Sequence, residues 1–311
     1  MVYLNFETIT PLHISNGNEL AYNIDYIITG DQFGKFNLNK VSRVLAENNI
    51  FDFSKSYNYN QFIKIIEENI QLFDNFHFDY NIFATSSFLE QIRNERAVGK
   101  KIVQEFINSN GKFYIPASSI KGALLTVLHF DSLGISIANP DINHKFVLSD
   151  SDFIDEENFS VDRTSDRPPA INLITLSTGN LFTLKIKKLG TLDINILKEK
   201  LSFYSIGQIE KAMEIVKKFK SRNPRNPKGA DKYYEILLNL SKENLEKDEY
   251  LINIGFGGGS WFKIFADSIP KKFKNPGKRG RIYEEAHTTF SIPIENELYQ
   301  LGWCKLKIEE K

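Results

Sequence analysis

The residues in this chain best suited to chemistry are glycines, serines and cations. The segment Ile254-Gly255-Phe256-Gly257-Gly258-Gly259-Ser260-Trp261 places four glycines in five positions. Backbone without side chains lets a ligand come close and exposes several N–H donors, which suits a phosphate or a nucleotide. Phe256 or Trp261 offers a ring on which a base could stack. No Gly-Lys-Ser/Thr follows at the spacing of a Walker A loop, so nucleotide hydrolysis has no support. A tight turn packed on another element would use the same glycines, and both readings stay open at this point.

A second candidate is Ile115-Pro116-Ala117-Ser118-Ser119-Ile120-Lys121-Gly122-Ala123-Leu124-Leu125. A strand ends at Pro116, Ser118 or Ser119 can cap a helix, and Lys121 falls in the first turn, where free N–H groups and the helix dipole favour an anion. Taken alone, an ordinary helix start explains these residues as well. The third feature is charge. From Lys217 to Lys232 seven cations stand against Asp231, and from Lys271 to Arg281 there are Lys271, Lys272, Lys274, Lys278, Arg279 and Arg281 with no acid. Proline and glycine interrupt both runs, marking loops. Cations laid on backbone phosphates release counterions and add affinity, whereas a solvated loop is the plain alternative for either run alone.

Catalysis finds less. The five histidines are His13, His77, His129, His144 and His287, and no pair has metal-ligand spacing. His13 is best placed, in the loop after the first strand, and a ribonuclease using it as general acid or base is the alternative reading. Among carboxylates, Asp25 falls in an expected strand and Asp31 in a turn. The cluster Asp150, Asp152, Asp155, Glu156 and Glu157 reads as a solvated acidic loop rather than a Mg²⁺ site. No metal and no cofactor is expected.

These residues need a scaffold. Val2, Leu4, Phe6 and Thr8 alternate as a half-buried strand, Ser15-Asn16-Gly17-Asn18 reads as a loop, and Tyr22–Thr29 as a second strand. Residues 38–50 and 59–73 look helical and read as an insertion over about 38–95. Asn110-Gly111 favours a type I′ hairpin between 103–107 and 113–115. A helix with the stripe Ile120, Ala123, Leu124, Val127 and Leu128 follows. Strands are expected at 145–149, 171–176 and 181–187, the last two joined by Ser177-Thr178-Gly179-Asn180. Helices are expected at 195–219 and 230–244, and strands over 282–292 and 303–308. Arg163 and Arg167 fall in a loop between two predicted strands. The interleaving of strands and helices makes the chain α+β, and the alternation argues for antiparallel sheets. We expect an N-terminal domain over 1–190 and a C-terminal region over 191–311.

The 311 residues hold 39 basic and 39 acidic side chains, with 13% aromatics. That is too rich in large apolar groups for a disordered polymer. The neutrality is a cancellation: residues 1–155 carry 12 basic and 18 acidic side chains, the remainder 27 and 21. A basic face can therefore exist on a neutral chain. Cys304 is the only cysteine, which excludes an intramolecular disulfide. No run of apolar residues is long enough to span a bilayer, so a cytoplasmic protein is expected, with no membrane partner.

Three segments taken together, Thr10-Pro11-Leu12-His13-Ile14-Ser15-Asn16-Gly17, the stretch from Ile115 to Leu124, and Ile254 to Gly259, resemble the RAMP superfamily of CRISPR-associated proteins. Within it the chain is most similar to the family of fifth subunits of type III-A (Csm) effector complexes, which cap the 3′ end of the crRNA. The first loop reads Ile-Ser-Asn-Gly where that family favours Ile-Gly-Ser-Gly. The second reads Pro-Ala-Ser-Ser for Pro-Gly-Ser-Ser, and Leu125 stands where many relatives have arginine. The resemblance implies a ferredoxin-like, RRM-like core with helical insertions and a non-catalytic subunit needed for crRNA maturation. The implied partners are crRNA, the repeated backbone RAMP subunit, the small helical subunit and host ribonucleases. It carries RNA contact onto Ser15, Gly17, Ser118, Ser119, Lys121, Gly255, Gly257, Gly258, Gly259 and the cations from Lys271 to Arg281. Arg163 and Arg167 join that set.

Overall fold

The computed structural model describes residues 1–50, 52, 54–95, 101–128, 145–164, 170–222, 230–256, 273–274, 282–283, 291–294 and 297–311. In chain order come β1 (Val2–Thr8), β2 (Ser15–Ala21), β3 (Tyr26–Thr29), β4 (Gln32–Phe36), α1 (Leu38–Glu47), α2 (Tyr59–Glu68), β5 (Phe78–Ala84) and α3 (Ser86–Asn94). Next are β6 (Ile102–Phe106), β7 (Asn108–Ser109), β8 (Lys112–Phe113), α4 (Ala117–Leu128), β9 (Val147–Leu148), β10 (Phe159–Arg163), β11 (Asn172–Leu176) and β12 (Leu181–Lys188). The rest are α5 (Ile194–Arg222), α6 (Ala230–Leu245), β13 (Glu249–Asn253), β14 (Phe273–Lys274), β15 (Ile282–Tyr283), β16 (Ser291–Ile294), β17 (Glu297–Gln300) and β18 (Trp303–Glu310). The chain is α+β, as expected.

Contacts group it into two discontinuous units. Unit 1 is Met1–Ile14, Ile115–Asp152 and Ser177–Lys311, and unit 2 is Ser15–Tyr114 with Phe153–Leu176. This grouping and the expected break at residue 190 divide the chain differently, because β1 pairs with both β12 and β18. The charge follows the units: unit 2 holds 12 basic and 17 acidic residues, unit 1 27 and 22.

Unit 1 is built on an antiparallel sheet ordered β13-β18-β1-β12-β9. The alternation of β1 buries Val2, Leu4 and Phe6 on one face, and Phe6 stacks on Phe182 of β12 with ring centroids 5.0 Å apart. Each such side chain contributes about 1.5–3 kcal/mol of burial. Helices α5 and α6 pack on each other and on β13, and α4 packs on α5 and β9. A second cluster on the opposite side of β13 and β18 joins Leu251 and Trp303 to Ile209, Tyr233, Tyr234 and Leu237.

Unit 2 carries a seven-stranded sheet ordered β2-β6-β11-β10-β5-β4-β3. The expectation of purely antiparallel sheets fails here, since β10 pairs with β5 and β11 with β6 in parallel. Its core accounts for much of the aromatic content. Tyr26 stacks on Phe33 at 4.3 Å, Tyr80 meets Phe113 at 4.7 Å, and Phe113 stacks on Phe159 at 4.1 Å.

Several local readings change. The segment read as the loop Ser15–Asn18 is the start of strand β2, and the strand expected from Tyr22 begins only at Tyr26. A turn precedes it, in which Asp25 accepts from the Ala21 N–H and Asn23 takes φ +59°. The stretch read as a helical insertion contains β5, whose Tyr80, Ile82 and Ala84 alternate inward. Arg163 is the last residue of β10 rather than a loop residue, opposite Asn172. Within 282–292 the described residues belong to β15 and the start of β16. Asn110-Gly111 forms the expected turn, with φ of +53° and +78°, but it joins the two-residue strands β7 and β8, while β6 pairs with β2 and β11 instead of returning through this hairpin. Among the described residues no helix is long and apolar enough to cross a membrane.

Candidate nucleic-acid interface

At the end of β1 in unit 1, three segments distant in sequence interlock. Ile9 and Thr10 donate backbone N–H groups to the Trp303 carbonyl at 2.8 and 3.1 Å, and Trp303 N–H donates to the Thr10 hydroxyl at 2.9 Å. Gly302 N–H donates to the Pro11 carbonyl at 2.9 Å and Ile254 N–H to the Gly302 carbonyl at 2.7 Å. Phe256 N–H then donates to the His13 carbonyl at 2.8 Å. The first loop and the start of the glycine run, some 240 positions apart, are thus joined by a backbone hydrogen bond.

Gly255 makes this approach possible. Its φ is +72°, and a Cβ there would stand inside 3.0 Å of the His13 carbonyl oxygen and 3.0 Å from a Leu12 methyl. The glycine is therefore required by chain packing whether or not a ligand is bound. The same packing buries His13, which is 1% exposed with its ring edge-on to Phe256 at 5.7 Å. Beside it the turn Ser177–Asn180 closes on Thr8, whose hydroxyl donates to the Ser177 carbonyl at 2.6 Å and accepts from Asn180 N–H at 2.9 Å.

The second serine segment, also in unit 1, starts α4 as expected, with Ile120, Leu124, Val127 and Leu128 buried. Its cap is not a serine. The Asp150 carboxylate accepts from Ala117 N–H at 2.7 Å, and Ser151 Oγ accepts from Ile115 N–H at 2.8 Å. A carboxylate from 33 positions downstream thus serves the free N–H that an incoming anion would seek. Lys121 Nζ donates to the Phe146 carbonyl at 2.9 Å and lies over the Phe146 ring, while Ser118 is exposed.

In unit 2, Ser15 and Gly17 lie on the edge strand β2. Ser15 Oγ accepts from Gly17 N–H at 2.9 Å, and Gly17, at φ +89°, has open space where a Cβ would stand. Its neighbours hold the strand down: Asn16 and Asn18 amides donate to Glu105 Oε2 at 2.7 and 3.0 Å. Glu105, 2% exposed, also accepts from the Tyr80 hydroxyl at 3.0 Å and lies 3.9 Å from Lys35 Nζ. Burial, then the adjacent Glu105, push the Tyr80 phenol well above its ordinary range. Sequence reasoning missed this carboxylate, and its only signal was a charged residue on the inward phase of β6. Arg163 donates to Asn172 Oδ1 at 3.2 Å. On the same pair of strands Asp162 is buried, with hydroxyls of Ser160 and Thr175 on its carboxylate. Desolvation raises its pKa, and hydrogen bonds from Thr175, Ser160 and Thr85 oppose that rise.

Arg167, Gly257, Gly258, Gly259, Lys271, Lys272, Lys278, Arg279 and Arg281 lie outside the described residues, as do His129, His144 and His287. Lys274 belongs to β14, paired with Ile282 of β15. Among the described residues no group of three or more His, Cys, Asp or Glu side chains could hold a metal ion.

The family model of the RAMP superfamily matches residues 5–263. A curated Methanocaldococcus jannaschii protein, described as CRISPR system Cms protein Csm5, is 25% identical over 385 residues, covering 98% of this chain and 88% of that protein. Among solved structures, one chain of a Csm–crRNA–target RNA ternary complex of a type III-A CRISPR–Cas system aligns with a TM-score of 0.68 at 15% identity. That alignment covers 99% of this chain and 100% of the other. The crystal structure of T. onnurineus Csm5 aligns with a TM-score of 0.56 at 16% identity, over 83% and 90% of the two chains. At such identities the structural likeness speaks for the fold.

Proposed function

The chain belongs to the RAMP superfamily, and from that membership we propose that it is a crRNA-binding subunit of a type III-A (Csm) interference complex. In this reading it caps the filament at the 3′ end of the crRNA, supports crRNA maturation in antiviral defence, and acts in the cytoplasm. The observation that carries the reading is that likeness to a Csm5 protein runs almost end to end, over 98% of this chain and 88% of that relative. Unit 1 adds a physical argument. It brings His13 against Gly255 and Phe256, where the glycine run begins, and carries the excess of positive charge, which suits a polyanion held by its backbone.

Within this proposal the exposed tip at Ser15 and Gly17, the α4 start with Ser118, Ser119 and Lys121, Arg163 with Arg167, and Gly255 with the glycines after it contact RNA. The cations from Lys271 to Arg281 neutralise phosphates. The subunit is non-catalytic. A general acid or base must reach the substrate, and the buried His13 imidazole faces Phe256.

The test is salt-dependent binding of labelled crRNA to the full chain and to a variant with Lys274, Lys278, Arg279 and Arg281 all changed to Ala. Each phosphate contact removed should lower the salt slope by roughly 0.7 for single-stranded RNA. Unchanged affinity and slope would sink this placement of the RNA site. Incubation of the purified protein with pre-crRNA, with and without Mg²⁺, should leave the RNA intact; cleavage lost in His13→Ala would establish the ribonuclease instead. A pull-down of filament subunits from nuclease-treated lysate separates RNA binding from pure scaffolding.

A further inference from the structure

Strand β2 departs from its ladder at one place. Its pairing with β6 sets Ser15 opposite Phe106 and then Glu19 opposite Gln104, so Asn16, Gly17 and Asn18 stand opposite Glu105 alone. Two extra residues are thereby pushed out of the edge of the unit 2 sheet, as a bulge with Gly17 at φ +89°. Under it lies the Glu105 carboxylate, 2% exposed, whose Oε2 takes the amides of Asn16 and Asn18 at 2.7 and 3.0 Å. Its Oε1 takes the Tyr80 hydroxyl at 3.0 Å. A charge buried this deeply carries a desolvation penalty that an apolar residue would avoid. What the carboxylate supplies is shape, because a group that only accepts fixes the nitrogen of each asparagine amide inward.

That orientation decides what the surface offers. Asn16 Oδ1 is used by the Asn18 N–H at 2.8 Å, and Ser15 Oγ accepts from the Gly17 N–H at 2.9 Å. Two groups on exposed residues are left over, the Ser15 hydroxyl proton and Asn18 Oδ1, neither with a partner among the described residues. One donates and the other accepts. The ionisable groups bonded to this bulge and its flank are carboxylates, Glu105 beneath and Glu19 at its end, where Glu19 accepts from Gln104 Nε2 at 2.8 Å. Lys35 lies toward the other oxygen of Glu105, at 3.9 Å, and is paired with Asp79 at 2.9 Å. Phosphate is disfavoured beside these acids. A ribose 2′-hydroxyl is uncharged and both donates and accepts, so it complements the pair. We propose that Glu105 is a positioning residue, holding the bulge in the shape in which Ser15 and Asn18 receive a ribose 2′-hydroxyl, so that this edge distinguishes RNA from DNA. The assignment rests on the proposed RNA-binding role of the chain and adds which part of the nucleotide the tip at Ser15 and Gly17 reads.

The test compares the affinity of the full chain for labelled crRNA with that for a DNA strand of the same sequence, at low and at high salt. The wild type should prefer RNA. Ser15→Ala removes the donor and Glu105→Ala the support, and each should lower that preference about threefold to tenfold, the scale of one or two neutral hydrogen bonds. The salt slope should not change, because no phosphate contact is removed. Glu105→Gln should keep the preference within about twofold, since its carbonyl oxygen can take both asparagine amides while its NH₂ donates to the Tyr80 oxygen. Thermal melts establish that each variant is folded at the assay temperature; should Glu105→Ala not be, Ser15→Ala and Glu105→Gln carry the same decision. An undiminished preference in Ser15→Ala or in folded Glu105→Ala overturns the proposal. So does a loss in Glu105→Gln equal to that in Glu105→Ala, because charge rather than shape would then matter. A shallower salt slope in Ser15→Ala overturns it too, by placing a phosphate at the tip. A wild type that binds both strands equally overturns this assignment alone, whereas one that binds neither counts against the RNA-binding reading itself.

Discussion

Replacing Gly255 with alanine should cost far more than the same change at Gly17, although both glycines have positive φ. At Gly17 a Cβ meets nothing within 4 Å, so the penalty is that of the left-handed conformation alone, about 1–2 kcal/mol. At Gly255 the new Cβ stands inside 3.0 Å of the His13 carbonyl oxygen and 3.1 Å from an Ile14 side-chain carbon. One backbone segment must retreat, and the bond from Phe256 N–H to that carbonyl is lost, for a further 0.5–1.5 kcal/mol or about that. The total for Gly255→Ala is about 1.5–3.5 kcal/mol, and the excess over Gly17→Ala about 0.5–1.5 kcal/mol. Equilibrium urea denaturation of the two variants, with circular dichroism as readout, measures that difference. Equal midpoints and slopes would refute the claim that the first loop and the glycine run are held in contact through this residue.

Three further outcomes follow from the same geometry. Asp150→Ala removes the carboxylate that caps α4 and should lower stability by about 1 kcal/mol, read as a shift in urea midpoint. Changing Asn16 and Asn18 together to Ala strips two donors from the buried Glu105 and should cost roughly 1–3 kcal/mol; hydrogen exchange of β2 should then rise above that of β6 if this clamp holds the edge strand. For Asp162, burial raises the folded pKa above the ordinary value of 3.8, so the folded chain keeps a proton that the unfolded chain releases. Its contribution is fully present below 3.8 and is lost as pH rises through the raised value. Denaturation of D162N across that window should show a flatter dependence on pH than the wild type, and identical profiles would count against the buried carboxylate.

Features whose causes are local could be read from the chain. Asn110-Gly111 announces its hairpin because only two such residues tolerate successive positive φ, and the apolar stripe from Ile120 to Leu128 needs nothing beyond helical spacing. Features held by distant partners could not. Ser15-Asn16-Gly17-Asn18 has the composition of a loop and becomes a strand because Glu105, some 90 positions on, takes its amides. The α4 cap was sought among adjacent serines, while the structure supplies Asp150 from across a segment that folds back. β5 hid inside the stretch 38–95, whose earlier segments have helical spacing. The meeting of the first loop with Gly255 follows from no spacing rule, and only the family resemblance pointed to those segments as a set.

The sheet of unit 1 also sets an order of events during synthesis. β1 is its central strand, yet one of its two partners, β18, lies some three hundred positions later in the chain, with Val2 opposite Glu310. At roughly 5–20 residues per second, the three hundred positions between them take about 15–60 s to emerge from the ribosome. For that time β1 has an open edge of the kind that invites wrong pairing. Unit 2, complete by Leu176, can fold while unit 1 waits. The sheet of unit 1 can therefore be completed only once β18 has been made.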